Sequence, residues 1–139
     1  MKLNMNQHFE NKFQFRLESA RRLIHLEKNH PCSQMHGHSF LVSLIFHGPL
    51  DIQKGWLIDF NEIETSLAPI KKKLDHKVLN EIPGLENPTS ELLCAWIYWK
   101  LKKQTQHPNV AQHLVQVRVA ETPYTECAFP VATATALKG

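Results

Sequence analysis

Three features of the chain place it in the α+β class, with an antiparallel sheet. Apolar and polar residues alternate over residues 13–23, and a run rich in β-branched and aromatic residues follows over 36–46. Apolar positions then recur at helical spacing through Ile63, Leu67, Ile70 and Leu74, and a second apolar helix begins after Thr89. Strands thus precede helices without β-α-β alternation, which argues against a parallel sheet.

The first strand sets Phe13, Phe15, Leu17, Ser19, Arg21 and Leu23 on one face. Residues 1–12 are polar and are expected to form a flexible N-terminus. Residues 13–131 are expected to form a single domain, with 132–139 as a tail. Arg21 on the apolar face needs a carboxylate, a phosphate or water, because an unpaired buried guanidinium is costly. The alternative is that the strand ends before Arg21 and the residue is solvated. Residues 24–31 read as a loop carrying His25 and His30.

Cys32-Ser33-Gln34-Met35-His36-Gly37-His38 gathers a thiol and two imidazoles just before the second strand. Strand alternation points His36 and His38 the same way as Phe40, Val42, Leu44 and Phe46. Two imidazoles at the end of an apolar face can both reach one metal ion. A His-x-His pair is by itself a weak signal, and a lone Cys is more often a small buried hydrophobe than a nucleophile.

Residues 47–51 turn the chain, and 55–60 read as a short strand running into a helix. Asp59 is placed to cap that helix, with Glu62 three residues on. Pro69 should kink it or end it early. A compact segment with Asp75 and His76 follows, then a Pro- and Gly-containing loop over 82–88. Thr89 or Ser90 caps the second helix, which runs to about residue 104 and whose Trp96 and Trp99 read as core. Residues 107–109 read as a loop. The last clear strand covers 114–122, where Val115, Val117 and Val119 share a face with Glu121. An inward Glu should neutralise or meet a cation. Residues 123–127 then turn, and 128–131 pair once more.

Composition narrows the function classes. Hydrophobic content of 42% and charged content of 21% are those of an ordinary globular protein. A net charge of +3 is too small to indicate nucleic acid, and Lys71-Lys72-Lys73 suits a helix C-terminus. Three widely spaced cysteines do not make a disulfide framework. The first residues lack an apolar leader, and the longest apolar run, 92–99, is too short to span a bilayer. A cytoplasmic protein with no membrane partner is expected. Exposed edges on so small a sheet favour an oligomer.

Six stretches occur in a characteristic order. Phe15 is followed by Ala20, Arg22 and Leu23; Cys32 by His36-Gly37-His38-Ser39; then come Gly55-Trp56-Leu57-Ile58-Asp59-Phe60, Leu74-Asp75-His76 with Leu79-Asn80, Glu86-Asn87-Pro88-Thr89-Ser90-Glu91, and Glu121-Thr122. With these the chain resembles the 6-pyruvoyl-tetrahydropterin synthase family over about residues 13–130. Its bacterial 6-carboxy-tetrahydropterin synthase branch, which serves queuosine formation, is the most similar. The resemblance implies the tunnelling fold (T-fold), an antiparallel sheet with two helices on one face. It also implies a homo-oligomer, trimer or hexamer, with sites between subunits. The implied reaction converts 7,8-dihydroneopterin triphosphate to 6-carboxy-tetrahydropterin with loss of acetaldehyde and triphosphate.

The resemblance also assigns roles. Glu121 would accept the paired N–H donors of the pterin in a fork, and Thr89 and Ser90 would help to hold it. Cys32 would be the general base, and His76, oriented by Asp75, a proton relay. His36 and His38 would bind Zn2+. The resembled first strand reads Ala-His-Arg-Leu, its His being a third zinc ligand, whereas this chain reads Ala20-Arg21-Arg22-Leu23. Arg offers a metal no lone pair. Three outcomes follow: zinc held with a substitute ligand such as His25, His30 or Cys32, the last then being a poorer base; no metal with Arg21 as a fixed cation; or a pterin-binding paralogue without the lyase reaction. A 6-pyruvoyl-type synthase, which needs no side-chain cleavage, is a further alternative.

Overall fold

In the computed structural model, which describes residues 2, 4 and 6–133, four strands form one antiparallel sheet in the order β1-β2-β3-β4. They are β1 (His8–Arg21), β2 (His36–Pro49), β3 (Leu114–Thr122) and β4 (Thr125–Phe129). The helices are α1 (Phe60–Leu74), α2 (Ser90–Lys103) and a short α3 (Pro108–His113). The two expected helices are present, and α3 stands where the sequence predicts a loop over residues 107–109. Pro108 opens it at a position where the missing N–H costs nothing. Among the described residues no helix is long and apolar enough to cross a membrane.

One sheet face carries the core. Phe15 and Leu17 of β1, Phe40, Val42, Leu44 and Phe46 of β2, and Val117 and Val119 of β3 are buried together under Ile63, Leu67, Leu74, Leu93 and Ile97 of the helices. Gln14, Arg16, Glu18, Ser39 and Arg118 lie exposed on the other face. Helix α2 packs on β3 and β4, while α1 contacts β1 and α2.

Four local expectations are corrected. Strand β1 starts at His8, inside the stretch read as frayed, because β2 is long enough to pair with it from His8↔Pro49 onward and Glu10 meets His47 across the strands at 2.7 Å. Residues 1, 3 and 5, and residues 134–139 of the expected tail, lie outside the described residues. Residues 55–59 are irregular, with a bend at 57–58, rather than strand; Asp51 accepts from Gly55 N–H and donates to the Trp56 carbonyl through its backbone, which folds that segment on itself. Helix α1 continues past Pro69 to Leu74 and does not end early. A helical proline costs about 3 kcal/mol, but burying Ile63, Leu67, Ile70 and Leu74 contributes about 2 kcal/mol each. Pro69 is exposed, so the carbonyl it strands faces water. Strand β4 begins at Thr125, paired with Thr122 across a tight turn, earlier than expected.

Both helix caps are side-chain caps. Asp59 accepts from Asn61 N–H at 2.9 Å, and Thr89 accepts from Leu92 N–H at 3.1 Å. Of the two tryptophans read as core, Trp96 is half-buried and donates to the Pro83 carbonyl, whereas Trp99 stands on the outer side of α2, 50% exposed.

Candidate active site

Arg21 is the last residue of β1, opposite His36, and its side chain turns into the helix-facing layer with 2% exposure. The guanidinium lies 5.0 Å from the Phe40 ring centroid. Nη1 donates to the Pro88 carbonyl at 2.9 Å and to Ser90 Oγ at 3.3 Å, and Nη2 pairs with Glu121 Oε1. Nε is buried without an acceptor. Of the two readings of Arg21, burial with a carboxylate partner is the one observed.

Glu121, next to the end of β3, receives both Arg21 and the Ser90 hydroxyl on Oε1. Among the described residues no donor reaches Oε2. Burial acts against its charged form, yet the bonds from Ser90 and Arg21, and the charges of Arg21 and His38, hold its carboxyl below the usual range. Ser90 stands at the first position of α2 and reaches Glu121, whereas the Thr89 hydroxyl is spent on capping Leu92 N–H.

His36 and His38 sit edge to face with centroids 4.5 Å apart, and His38 tilts against Phe40. His36 Nδ1 lies 2.6 Å from the Gln34 carbonyl, which can only accept. Nδ1 therefore carries a proton, and in the neutral ring Nε2 presents its lone pair. Burial pushes the His38 imidazole below its usual range, and the charges of Arg21 and His36 push it further, outweighing the pull of Glu121.

The segment after α1 is stitched to the end of β1. Ala20 N–H donates to the Lys77 carbonyl and Ala20 bridges Val78, while His76 N–H donates to the Glu18 carbonyl at 2.6 Å. His76 adopts φ 57°, which is uncommon outside glycine and turns its ring outward. Asp75 Oδ1 accepts from Glu18 N–H at 2.9 Å and Oδ2 from His76 Nδ1 at 2.9 Å. The Glu18 N–H, together with the His76 contact, lowers the Asp75 carboxyl. His76 thus keeps Nε2 free on a side chain that is 77% exposed.

His38 and His76 line one cleft of about 490 Å³, with Glu18, Gly37 and Ser39. Glu121 lines a second of about 540 Å³, with Thr122 and Tyr124, and Ser39 borders both. Cys32 lies on a short 3-10 turn (Pro31–Ser33) joined to the end of β1 through Leu23 N–H and the Cys32 carbonyl, and it lines neither cleft. The fold therefore unites Arg21, His36, His38, Ser90 and Glu121, and separately Asp75 and His76, while Cys32 stands apart in the single chain. Glu18 and Ser39 border the site without having been singled out from the sequence. Their signal was their outward phase in the two strands; Ser39 Oγ donates to Glu18 Oε1 at 2.7 Å. Asn80 and Asn87 of the ordered motifs hold the backbone of Arg22 and Ile24.

The donor set does not fit a catalytic zinc. Such a site takes three protein ligands, and this corner supplies two imidazoles beside a buried, permanently charged guanidinium. No group of three His, Cys, Asp or Glu among the described residues is placed to hold a metal. His30, one candidate substitute, uses Nδ1 to accept from Cys32 N–H.

Residues 10–130 match the family described as 6-pyruvoyl tetrahydropterin synthase. The chain is 37% identical over 95 residues to 6-carboxy-5,6,7,8-tetrahydropterin synthase of Synechocystis sp., covering 65% of this chain and 72% of that protein. It is 33% identical over 79 residues to dihydroneopterin monophosphate aldolase of Pyrococcus furiosus, covering 57% and 66%. In fold it is similar to the 6-pyruvoyl tetrahydropterin synthase of Caenorhabditis elegans, with TM-score 0.79 and 21% identity over 94% of this chain and all of that one.

Proposed function

The chain belongs to the 6-pyruvoyl tetrahydropterin synthase family, and from that membership we propose that it is a pterin lyase acting on 7,8-dihydroneopterin triphosphate. The product of this reading is 6-carboxy-tetrahydropterin, with release of acetaldehyde and triphosphate, in the 7-deazaguanine (queuosine) route. The name of the Synechocystis relative supports this choice within the family.

The observation that carries the reading is Glu121. An ionised carboxylate ends an apolar strand face, one oxygen held by Ser90 and Arg21 and the other without a protein donor. A pterin presents an N–H beside an exocyclic amine, a pair of donors that suits such a carboxylate. Oε2 takes the first donor, and Oε1 takes the second by giving up Arg21 or Ser90.

The remaining residues take proton-transfer roles. Asp75 fixes the proton on His76 Nδ1, so His76 Nε2 is the atom that exchanges protons in the cleft. Cys32, as thiolate, removes the proton from the hydroxyl-bearing side-chain carbon. Arg21 provides a positive charge beside the oxygens on which negative charge develops. Because Cys32 lines neither cleft of one chain, the reading includes a homo-oligomer, with Cys32 and His76 brought to one site by different copies. Zinc has no part in it, for want of a third donor.

Incubation with dihydroneopterin triphosphate tests the reading. Acetaldehyde and a pterin of the 6-carboxy mass are expected. A pterin that keeps its side-chain carbons, without acetaldehyde, would indicate a pyruvoyl-type synthase. Tight pterin binding without turnover would indicate a non-catalytic or altered paralogue, the alternative that the Arg21–Glu121 pair favours. No pterin binding at all sinks the assignment.

A further inference from the structure

We infer that the corner formed by Arg21, His36 and His38 is a metal-free oxygen site, which takes a hydroxyl or enolate oxygen of a small polyol side chain where its His-x-His motif suggests a metal. The ligand class rests on the function proposed above; the absence of a metal role rests on the donor set alone.

Four features carry the inference. First, Arg21 is locked rather than loosely placed: Phe40 covers its face, and Pro88, Ser90 and Glu121 hold both terminal nitrogens. Such a guanidinium cannot swing aside to admit a divalent cation, and it stays charged at any relevant pH. Second, its Nε–H is fully buried and one acceptor short. A buried donor without a partner costs about 1–3 kcal/mol, a cost that an acceptor oxygen reaching Nε would remove. Third, Nδ1 of His36 is spent on the Gln34 carbonyl, so Nε2 is the ring atom left to meet a ligand, as an acceptor in the neutral ring. Fourth, the His38 ring has no hydrogen-bond partner among the described residues and opens on the cleft shared with His76. A cation, a lone pair and an uncommitted imidazole suit a group that both accepts and donates. A hydroxyl does so, and when the carbon that bears or adjoins it loses a proton to a base, the negative charge that develops on the oxygen has the guanidinium beside it. The relation to Glu121 adds selectivity: a pterin that engages Glu121 takes up part of the negative charge that neutralises Arg21, so the fixed cation is less compensated when the ring is seated.

The test measures metal and ligand separately on the purified full chain. After loading with excess zinc and desalting, the native protein is expected to retain less than about 0.1 zinc per chain. Arg21→His should retain about one, and lose it again with His36→Ala. Native protein that holds about one zinc, removed by His38→Ala, overturns the inference; this arm decides even where Arg21→His fails to fold. In the second arm, with a chelator present, neopterin should bind about tenfold more tightly than pterin lacking the side chain, the worth of one hydrogen bond to a charged group. Arg21→Lys should shrink that preference. Equal affinities overturn the oxygen assignment. Failure of both pterins to bind sinks the functional reading, while the zinc arm still decides the metal.

Discussion

Arg21 and Glu121, a hundred positions apart in the chain, form a single ion pair between the end of β1 and the end of β3. Each is anomalous alone, a cation on an apolar strand face and a carboxylate on a valine face. Together they account for each other. The partners are not equally buried: the Arg21 side chain is 3% exposed and the Glu121 side chain 30%. Arg21→Met strands a carboxylate that can rehydrate and should cost about 2 kcal/mol, below the usual range for breaking a buried pair. Glu121→Ala strands a buried guanidinium and should cost about 3–5 kcal/mol. The double variant Arg21→Met/Glu121→Ala should cost clearly less than the sum. Urea unfolding of the four proteins checks the order; additive costs would show that the pair is not coupled.

Much of this was readable before the fold was known, because strand alternation is a strong signal. The inward phase of Arg21, His36, His38 and Glu121 follows from a period of two. What alternation could not give is pairing across a hundred residues, so the partner sought for Arg21 and the cation sought for Glu121 were not recognised as one another. The start of β1 was missed for a related reason. Residues 8–12 have no apolar alternation, and their strand character comes from the partner strand. Helix α1 passing Pro69 was missed because the local cost is visible in sequence and the tertiary burial that outweighs it is not.

The ion pair has a pH signature. Glu121 ionises below its ordinary value of 4.5 in the folded chain. At a pH between the two values the unfolded chain binds more protons, so stability rises with pH there. The contribution is complete above 4.5 and is lost as pH falls through the lower, folded value. Asp75 and Glu86 are depressed as well and act over the same acid range. The informative quantity is therefore the difference between native protein and Glu121→Gln. That difference should shrink on acidification below pH 4.5 in thermal unfolding; a constant difference would contradict the depressed carboxyl.

Asp75 holds His76 in one tautomer, and substitution can reverse it. Asp75→Asn can still accept from Glu18 N–H but turns an amide donor toward His76 Nδ1, forcing the ring proton to Nε2. Turnover should fall by about 10²–10⁴, as in His76→Ala. Pterin affinity and melting temperature should stay near native in both. Steady-state kinetics beside ligand titration make the check, and loss of affinity equal to the loss of turnover would assign the pair a binding role instead.

Gly48 marks where the α3 end of the molecule closes on the sheet. A Cβ there would stand 2.6 Å from His113 Nδ1 and 2.7 Å from Leu57 Cδ1. His113 is tied back by the His47 carbonyl at 3.2 Å, and Leu57 is buried, so neither yields freely. Gly48→Ala should destabilise by about 1–3 kcal/mol through overpacking. Turnover measured well below the melting range should be unchanged, because the site lies at the other end of β2. A neutral substitution in thermal unfolding would show that His113 can swing away.

The three thiols should differ in reactivity, and the difference isolates Cys32. Burial, with Cys127 nearby, pushes the Cys94 thiol up to about 12. Burial and the contact with Glu91 push Cys127 up to about 11, its Sγ lying 3.2 Å from Glu91 Oε1. Both stay protonated near neutral pH, and only a thiolate attacks an alkylating reagent readily. Cys94 is also sealed from solvent and donates to the Val117 carbonyl at 2.8 Å. Limited alkylation at neutral pH should therefore mark Cys32 first, as read by peptide mass. If Cys32 is the base, turnover should fall in step with that label while pterin stays bound through Glu121. A bound pterin should also slow the labelling by covering the thiol. Labelling that falls first on Cys127, or activity that survives full modification of Cys32, would remove the thiol from the mechanism and leave His76 as its base.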